Sequence, residues 1–348
     1  MSEGNRWAPA TPVLGGPEPC DQLDLAARVL DKAERVLLVC HMSPDGDALG
    51  SMLAMMHFLT ASSKEAVSTF PEPFVVPPQY RWLPGVDLLA PPETARELNA
   101  DVAVTFDCAS RDRTAELSDA LDAASDIIVF DHHASNSGYG SVNLIFPEAS
   151  SSSEIVYDFL AHIGAALSPD VATCLYVGIA TDTGRFQYQN TSPRVFAICA
   201  NLASVGLDIA GISRKVFEES RLPVLKLLAL VVERAQLDKD AGAVYSWFDY
   251  RDLQRYGVHA SETENYIDVL RQTSEADVAI LVKELNPGVV KASIRSLGRV
   301  DVAQVAGLFG GGGHKMAAGF TSDRNVSETI QAILENLPRW EPRGYSPS

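Results

Sequence analysis

Near the start of the chain, one imidazole and two carboxylates fall within a single short stretch, His41-Met42-Ser43-Pro44-Asp45-Gly46-Asp47. The stretch sits where an apolar run gives way to a helical pattern, and Pro44 and Gly46 favour a tight turn that aims Asp45 and Asp47 at one point. Two neighbouring carboxylates repel, and one takes up a proton unless a cation intervenes. Taken alone, the stretch favours a metal site only slightly over a helix amino end with solvated aspartates. Further acids and imidazoles change the balance. Asp107 ends the apolar run VAVTF, Asp131-His132-His133 follows IIVF, and Asp182 closes an apolar helical pattern before Thr183-Gly184. A carboxylate in such surroundings is costly to bury unless it is paired or bound to a metal. Together His41, Asp45, Asp47, Asp107, His132 and Asp182 offer four carboxylates and two imidazoles. That is enough for two metals and too many for one tetrahedral zinc. An oxygen and nitrogen set without thiolate suits Mn²⁺ ahead of Mg²⁺, Fe²⁺, Co²⁺ or Zn²⁺, although affinity alone does not select manganese. Near the other end, Gly310–Gly313 precedes His314. Successive glycine amides can form an anion-binding nest, and they can equally form a hinge. His314 and the fork-shaped guanidinium of Arg295 favour phosphate.

These residues need elements to hold them. Arg35–Cys40, Val102–Phe106 and Ile127–Phe130 read as strands, and each runs into a His or an Asp: His41, Asp107 and Asp131. Alternation with helical patterns, at Ala48–Thr60, Ile155–Ile163 and from Pro169 towards Asp182, predicts a mostly parallel α/β sheet. In such a sheet, side chains just beyond the carboxyl ends of strands line the ligand crevice. Ser151-Ser152-Ser153-Glu154 fits a capping box. Helices are expected across Pro193–Leu230, broken at Gly206 and Pro223. A smaller α/β unit follows, with strands at Ala243–Phe248, Val278–Leu285 and Val289–Ser296 and helices near Glu262–Gln272 and Val302–Phe309. The expected organisation is a flexible tail over 1–20, a domain over 21–204 that carries the candidate metal ligands, a helical linker over 205–225, a second domain over 226–340 that carries Arg295 and the glycine run, and a tail over 341–348, with the active site expected in the cleft between the domains.

Bulk properties narrow the substrate. The 348 residues carry 45 acidic and 28 basic side chains, a formal net charge of −17, and no Lys/Arg run. A long nucleic acid is therefore disfavoured, because phosphate neutralisation supplies most non-specific affinity. A small anion remains suitable if metals and local cations focus the field in a cleft. No apolar stretch approaches the roughly 20 residues that span a bilayer, and the first residues lack a secretory pattern, so a cytoplasmic protein is expected. Cys20, Cys40, Cys108, Cys174 and Cys199 are scattered and odd in number, as for reduced thiols.

HMSPDGDALGS, TFD, DHH and TDTG, in that order, resemble the motifs of the DHH phosphoesterase superfamily. Ser293-Ile294-Arg295-Ser296 and the stretch from Gly310 to Gly319 are similar to its DHH-associated domain, apart from Met316, where a basic residue often stands. The resemblance spans roughly residues 25–340 and is greatest to the bacterial oligoribonuclease/pAp phosphatase subgroup. It implies that His41 and Asp45 hold one metal, that Asp47, His132 and Asp182 hold a second, and that Asp107 bridges. It implies that Asp131 orients the site, that His133 contacts the scissile phosphate, and that Arg295, Gly311, Gly312, Gly313 and His314 bind substrate. The implied substrates are nanoRNA of two to five nucleotides, pAp, pApA and, in actinobacterial members, cyclic-di-AMP. AMP is the implied product, and a homodimer the implied assembly. A manganese inorganic pyrophosphatase and a catalytically dead nucleotide sensor are the competing readings.

Overall fold

The first strand expected from the sequence, Arg35–Cys40 (β1), is buried at every residue but the first. Its alternate side chains go to opposite faces: Val36, Leu38 and Cys40 join one core, and Leu37 and Val39 another. A strand buried on both faces needs helices on both sides, and a parallel sheet supplies them through its crossovers. The computed structural model describes residues 17–338. Residues 1–16 and 339–348 lie outside the described residues, and with them most of the expected amino-terminal tail and all of the carboxy-terminal one. Pro17–Cys20, assigned to that tail from the sequence, open helix α1 (Pro17–Lys32).

The chain divides between Glu219 and Ser220, inside the segment read as a linker. After β1 the first unit contains α2 (Gly46–Ala61), β2 (Glu65–Thr69), α3 (Thr94–Glu97), β3 (Val102–Phe106), α4 (Ser118–Ala123), β4 (Asp126–Asp131) and β5 (Val142–Ile145). It continues with α5 (Ser152–His162), α6 (Pro169–Asp182), α7 (Pro193–Ala203) and α8 (Ile209–Ser213). The five strands are all parallel, in the order β2-β1-β3-β4-β5. Helices α1, α2, α5 and α6 cover one face, and α3 and α4 the other. The strand order reverses at β1/β3, which opens a crevice at their carboxyl ends.

Helices α2 and α6 pack at backbone distance. A Cβ on Gly50 would lie 2.4 Å from the Cys174 carbonyl oxygen. One on Gly178 would lie 1.9 Å from Ser153 Oγ and 2.8 Å from Asp47 Oδ1. Only glycine permits the approach that brings α2, α5 and α6 together around Asp47.

The second unit contains α9 (Leu222–Glu233), β6 (Gln236–Asp238), β7 (Ala243–Phe248), α10 (Tyr250–Tyr256), α11 (Tyr266–Leu270), β8 (Val278–Asn286) and β9 (Val289–Ser296). It closes with α12 (Val302–Gly307), β10 (Gly312–His314), β11 (Ala317–Ser322) and α13 (Val326–Asn336). Its sheet runs β10-β11-β9-β8-β7-β6, antiparallel except for the β7/β8 pair. Three expectations need correction. Pro223 does not interrupt a helix; it stands in the first turn of α9, where a missing N–H costs nothing. The helix expected over Glu262–Gln272 is two pieces, a 3₁₀ turn at Ala260–Thr263 capped by His259 and then α11. Part of the glycine run is not loop, since Gly312–His314 pairs with β11. Among the described residues, no helix is long and apolar enough to cross a membrane.

Candidate metal centre

Five segments converge beyond the carboxyl ends of β1, β3 and β4. The His41 ring follows β1; its Nδ1 donates to the Met42 carbonyl at 2.9 Å, which turns Nε2 towards the acids. That nitrogen lies 3.4 Å from Asp107 Oδ2 and 3.9 Å from Asp45 Oδ1. Asp45 also caps α2, accepting the N–H groups of Asp47 and Ala48, as the helix-end reading of this turn expects. His132 Nε2 lies 3.4 Å from the other oxygen of Asp107 and 3.2 Å from Asp182 Oδ2. Asp107 thus turns one oxygen to His41 and the other to His132, with His133 Nδ1 3.5 Å from that second oxygen. It follows β3 in the left-handed region, φ 56°, where aspartate is tolerated better than most residues. Among the described residues of the first unit, three groups of donor atoms suited to one ion each can be drawn: His41, Asp45 and Asp107; Asp47, Asp107 and His132; and Asp107, Asp131 and His133. Asp107 is common to all three.

Most of this set is withdrawn from water. His41, Asp47, Asp107, Asp131 and His132 are buried, and Asp182 keeps a quarter of its side chain exposed. Burial pushes the Asp47 carboxyl up to about 7, helped by repulsion from Asp107. It drives Asp182 well up too, against the attraction of His132. Asp107 goes the other way: burial opposes its charge, but hydrogen bonds with His132 and His41 hold it well below the usual carboxylate range. Against their own burial, the neighbouring carboxylates raise the pKa of His41 and carry that of His132 well above its ordinary value. Carboxylates crowded to the point of reprotonation are what a divalent cation relieves. The donor chemistry therefore fits a metal centre.

Asp131 stands behind this cluster. Its Oδ1 accepts the His132 N–H at 3.0 Å and lies 2.8 Å from His133 Nδ1, which fixes the ring. Its Oδ2 accepts from Asn136 Nδ2 at 2.6 Å, and the same amide reaches the Cys108 carbonyl at 3.1 Å. Sequence reasoning missed Asn136, because nothing in the polar stretch ASNSG marks one residue as the partner of an acid. It missed Ser152 and Gly178 for the same reason: their part is visible only when α5 and α6 are seen against Asp47. The capping box at α5 is half formed. Ser151 caps the Glu154 N–H, but the Glu154 carboxylate turns to Ser150 and Arg194. Cys40 and Cys108 are buried thiols, both pushed well up by burial, and neither is in the donor groups.

In the second unit, β-register relates the remaining candidates. Ala317 is paired with His314 on one side and with Arg295 on the other, so the three form one row on one face of the sheet. Arg295 Nη1 donates to the Ile294 carbonyl at 3.3 Å, and its Nε is 3.8 Å from Asp268. Gly310 and Gly313 have positive φ, 74° and 139°, whereas Gly312 is exposed with nothing near a would-be Cβ. A Cβ on Gly311 would lie 2.3 Å from the Gly319 carbonyl oxygen.

Residues 35–179 match the DHH family, N-terminal domain, and residues 240–340 match the DHHA1 domain. The chain is a DHH–DHHA1 protein. It is similar to the bifunctional oligoribonuclease and PAP phosphatase NrnA of Thermus thermophilus, at 28% identity over 93% of this chain and 97% of that one. The cyclic-di-AMP phosphodiesterase GdpP of Geobacillus thermodenitrificans is 28% identical over 89% of this chain and 48% of its own length. The crystal structure of an exopolyphosphatase-related protein from Bacteroides fragilis superposes with a TM-score of 0.84 at 27% identity, covering 90% of this chain and 96% of that one. Relatives of this DHH–DHHA1 type are hydrolases of phosphate esters, and that is the class of enzyme the chain represents.

Proposed function

We propose that this DHH–DHHA1 protein hydrolyses short oligoribonucleotides, pApA or cyclic-di-AMP, and pAp to 5′-mononucleotides with two Mn²⁺ ions. The observation that carries this reading is the double engagement of Asp107, one oxygen towards His41 and the other towards His132. In it, His41 and Asp45 hold one ion, Asp47, His132 and Asp182 the other, and Asp107 both. Such ions would supply a water of lowered pKa and neutralise charge on phosphoryl oxygens. Asp131 orients His133 through Nδ1, so Nε2 is the ring nitrogen offered to the scissile phosphate. Arg295, His314 and the Gly311–Gly313 amides bind a second phosphate or the far nucleotide. That division of labour limits substrates to a few nucleotides, in keeping with the net charge of −17. The same reading makes the protein a cytoplasmic homodimer.

The test is product analysis with Mn²⁺ on pAp, pApA, cyclic-di-AMP, a 24-mer RNA and pyrophosphate, for the wild type and Asp107→Ala. AMP from the short substrates, none from the 24-mer, and an inactive variant are expected. Cleavage of pyrophosphate alone would make this a pyrophosphatase. No turnover of any substrate, with pAp or pApA still bound, would favour the sensor reading.

A further inference from the structure

The serines at the amino end of α5 make contacts that capping does not require. Ser151 alone caps the helix, its Oγ accepting the Glu154 N–H at 3.1 Å. The next residue faces the metal centre. The Ser152 N–H donates to Asp47 Oδ2 at 2.6 Å, and its Oγ donates to Asp107 Oδ1 at 3.2 Å. The Ser153 N–H completes the grip on Asp47, reaching Oδ1 at 2.9 Å. One fully buried residue therefore touches two carboxylates that come from different elements, Asp47 on α2 and Asp107 beyond β3.

The surroundings leave these carboxylates little freedom. The Gly178 backbone of α6 closes on Asp47 from another side, at a distance no side chain could share. Each Asp47 oxygen already accepts one amide, and a carboxylate oxygen has about two acceptor sites, so each keeps one for a cation. Asp107 Oδ1, which accepts from Ser152, is also the oxygen that faces His132. The Ser152 hydroxyl thus bears on the orientation of the oxygen assigned to the ion shared by Asp47, Asp107 and His132.

We propose that Ser152 is a positioning residue of the metal centre, its hydroxyl and N–H setting Asp107 against Asp47 before an ion binds. The inference rests on the metal reading given above. Partners of this kind, which orient a ligand without touching the ion, typically contribute about 10–100-fold to metal affinity. Ser152→Ala removes only the hydroxyl; the two backbone donors to Asp47 remain, and alanine is well tolerated in a helix.

Calorimetric titration of the metal-free full chain with Mn²⁺ tests it, alongside thermal melts with and without the ion. Ser152→Ala is expected to weaken Mn²⁺ binding about 10–100-fold while the metal-free melting temperature stays near that of the wild type. Ser151→Ala, which removes the cap alone, is expected to lower the melting temperature and leave Mn²⁺ affinity unchanged. Wild-type affinity in Ser152→Ala overturns the proposal. So does an equal loss in both variants, which would make the serine run a matter of helix stability only. Asp107→Ala separates the two levels. If it binds Mn²⁺ like the wild type, the metal reading itself fails; if it loses binding while Ser152→Ala does not, only the role of Ser152 fails.

Discussion

The acid cluster at the strand ends of the first unit and the ion pairs of the second treat charge in opposite ways. In the mixed-sheet unit, charged side chains meet partners of opposite sign: Arg234 with Asp252, Arg221 with Glu262, and buried Lys283 with Glu264. Such pairs neutralise themselves, and the exposed ones contribute little beyond local order. In the parallel-sheet unit, Asp47, Asp107 and Asp182 crowd round His132, and among the described residues no Lys or Arg forms an ion pair with them. Like charges gathered in a buried place are destabilising by themselves. Such an arrangement singles out the strand ends of the first unit as the candidate metal centre on which the proposed function rests.

That contrast can be broken experimentally. Asp107→Ala removes the acid common to the three donor groups of the first unit and is expected to lower kcat/KM on the order of 10³-fold, read by steady-state release of AMP from pAp. Arg295→Ala is expected to act on binding instead. It should raise KM for short nucleotides about tenfold or more, the loss of a charge-assisted hydrogen bond or two, with kcat little changed. A kcat loss as deep as that of Asp107→Ala would move Arg295 into the reacting centre.

Glycines offer the same comparison in stability. Gly178→Ala forces a Cβ against Ser153 and Asp47, and should cost about 1–3 kcal/mol in urea unfolding. Gly312→Ala meets nothing and should fall within about 0.5 kcal/mol of the wild type. The smallest expected effect is on pH. In the metal-free site the Asp47 carboxyl is raised to about 7, so below that pH a cation must displace a proton. Mn²⁺ affinity should rise as pH is raised from 6 to 8, with proton release on binding at the lower end. A flat profile would mean that Asp47 is ionised throughout.

Much of this arrangement was legible in the chain because it is local. β1, β3 and β4 are short apolar runs that end in His41, Asp107 and Asp131, and a strand carries its next residue to the crevice whatever else the fold does. The turn from Pro44 to Asp47 and the helix from Pro169 to Asp182 were readable for similar reasons: proline and polar caps set their ends within a few residues. β2 and β5 escaped notice because they are short, and their pairing with β1 and β4 defines them more than their own pattern does.

What only the tertiary structure decided concerns contacts between segments far apart in sequence. Residue types alone could not tell that Asp107 presents one oxygen to His41 and the other to His132, that Asn136 holds Asp131, or that α5 grips Asp47 from 105 positions away. Nor could they show His314 and Arg295 flanking Ala317 in one row. The physical reason is range. Hydrophobic periodicity and turn chemistry act over a few residues and specify elements, whereas the direction of a carboxylate oxygen is set by whichever backbone happens to pack against it. The sequence by itself determined which side chains arrive at the strand ends; the packing of α2, α5 and α6 through Gly50 and Gly178 decided how they face one another.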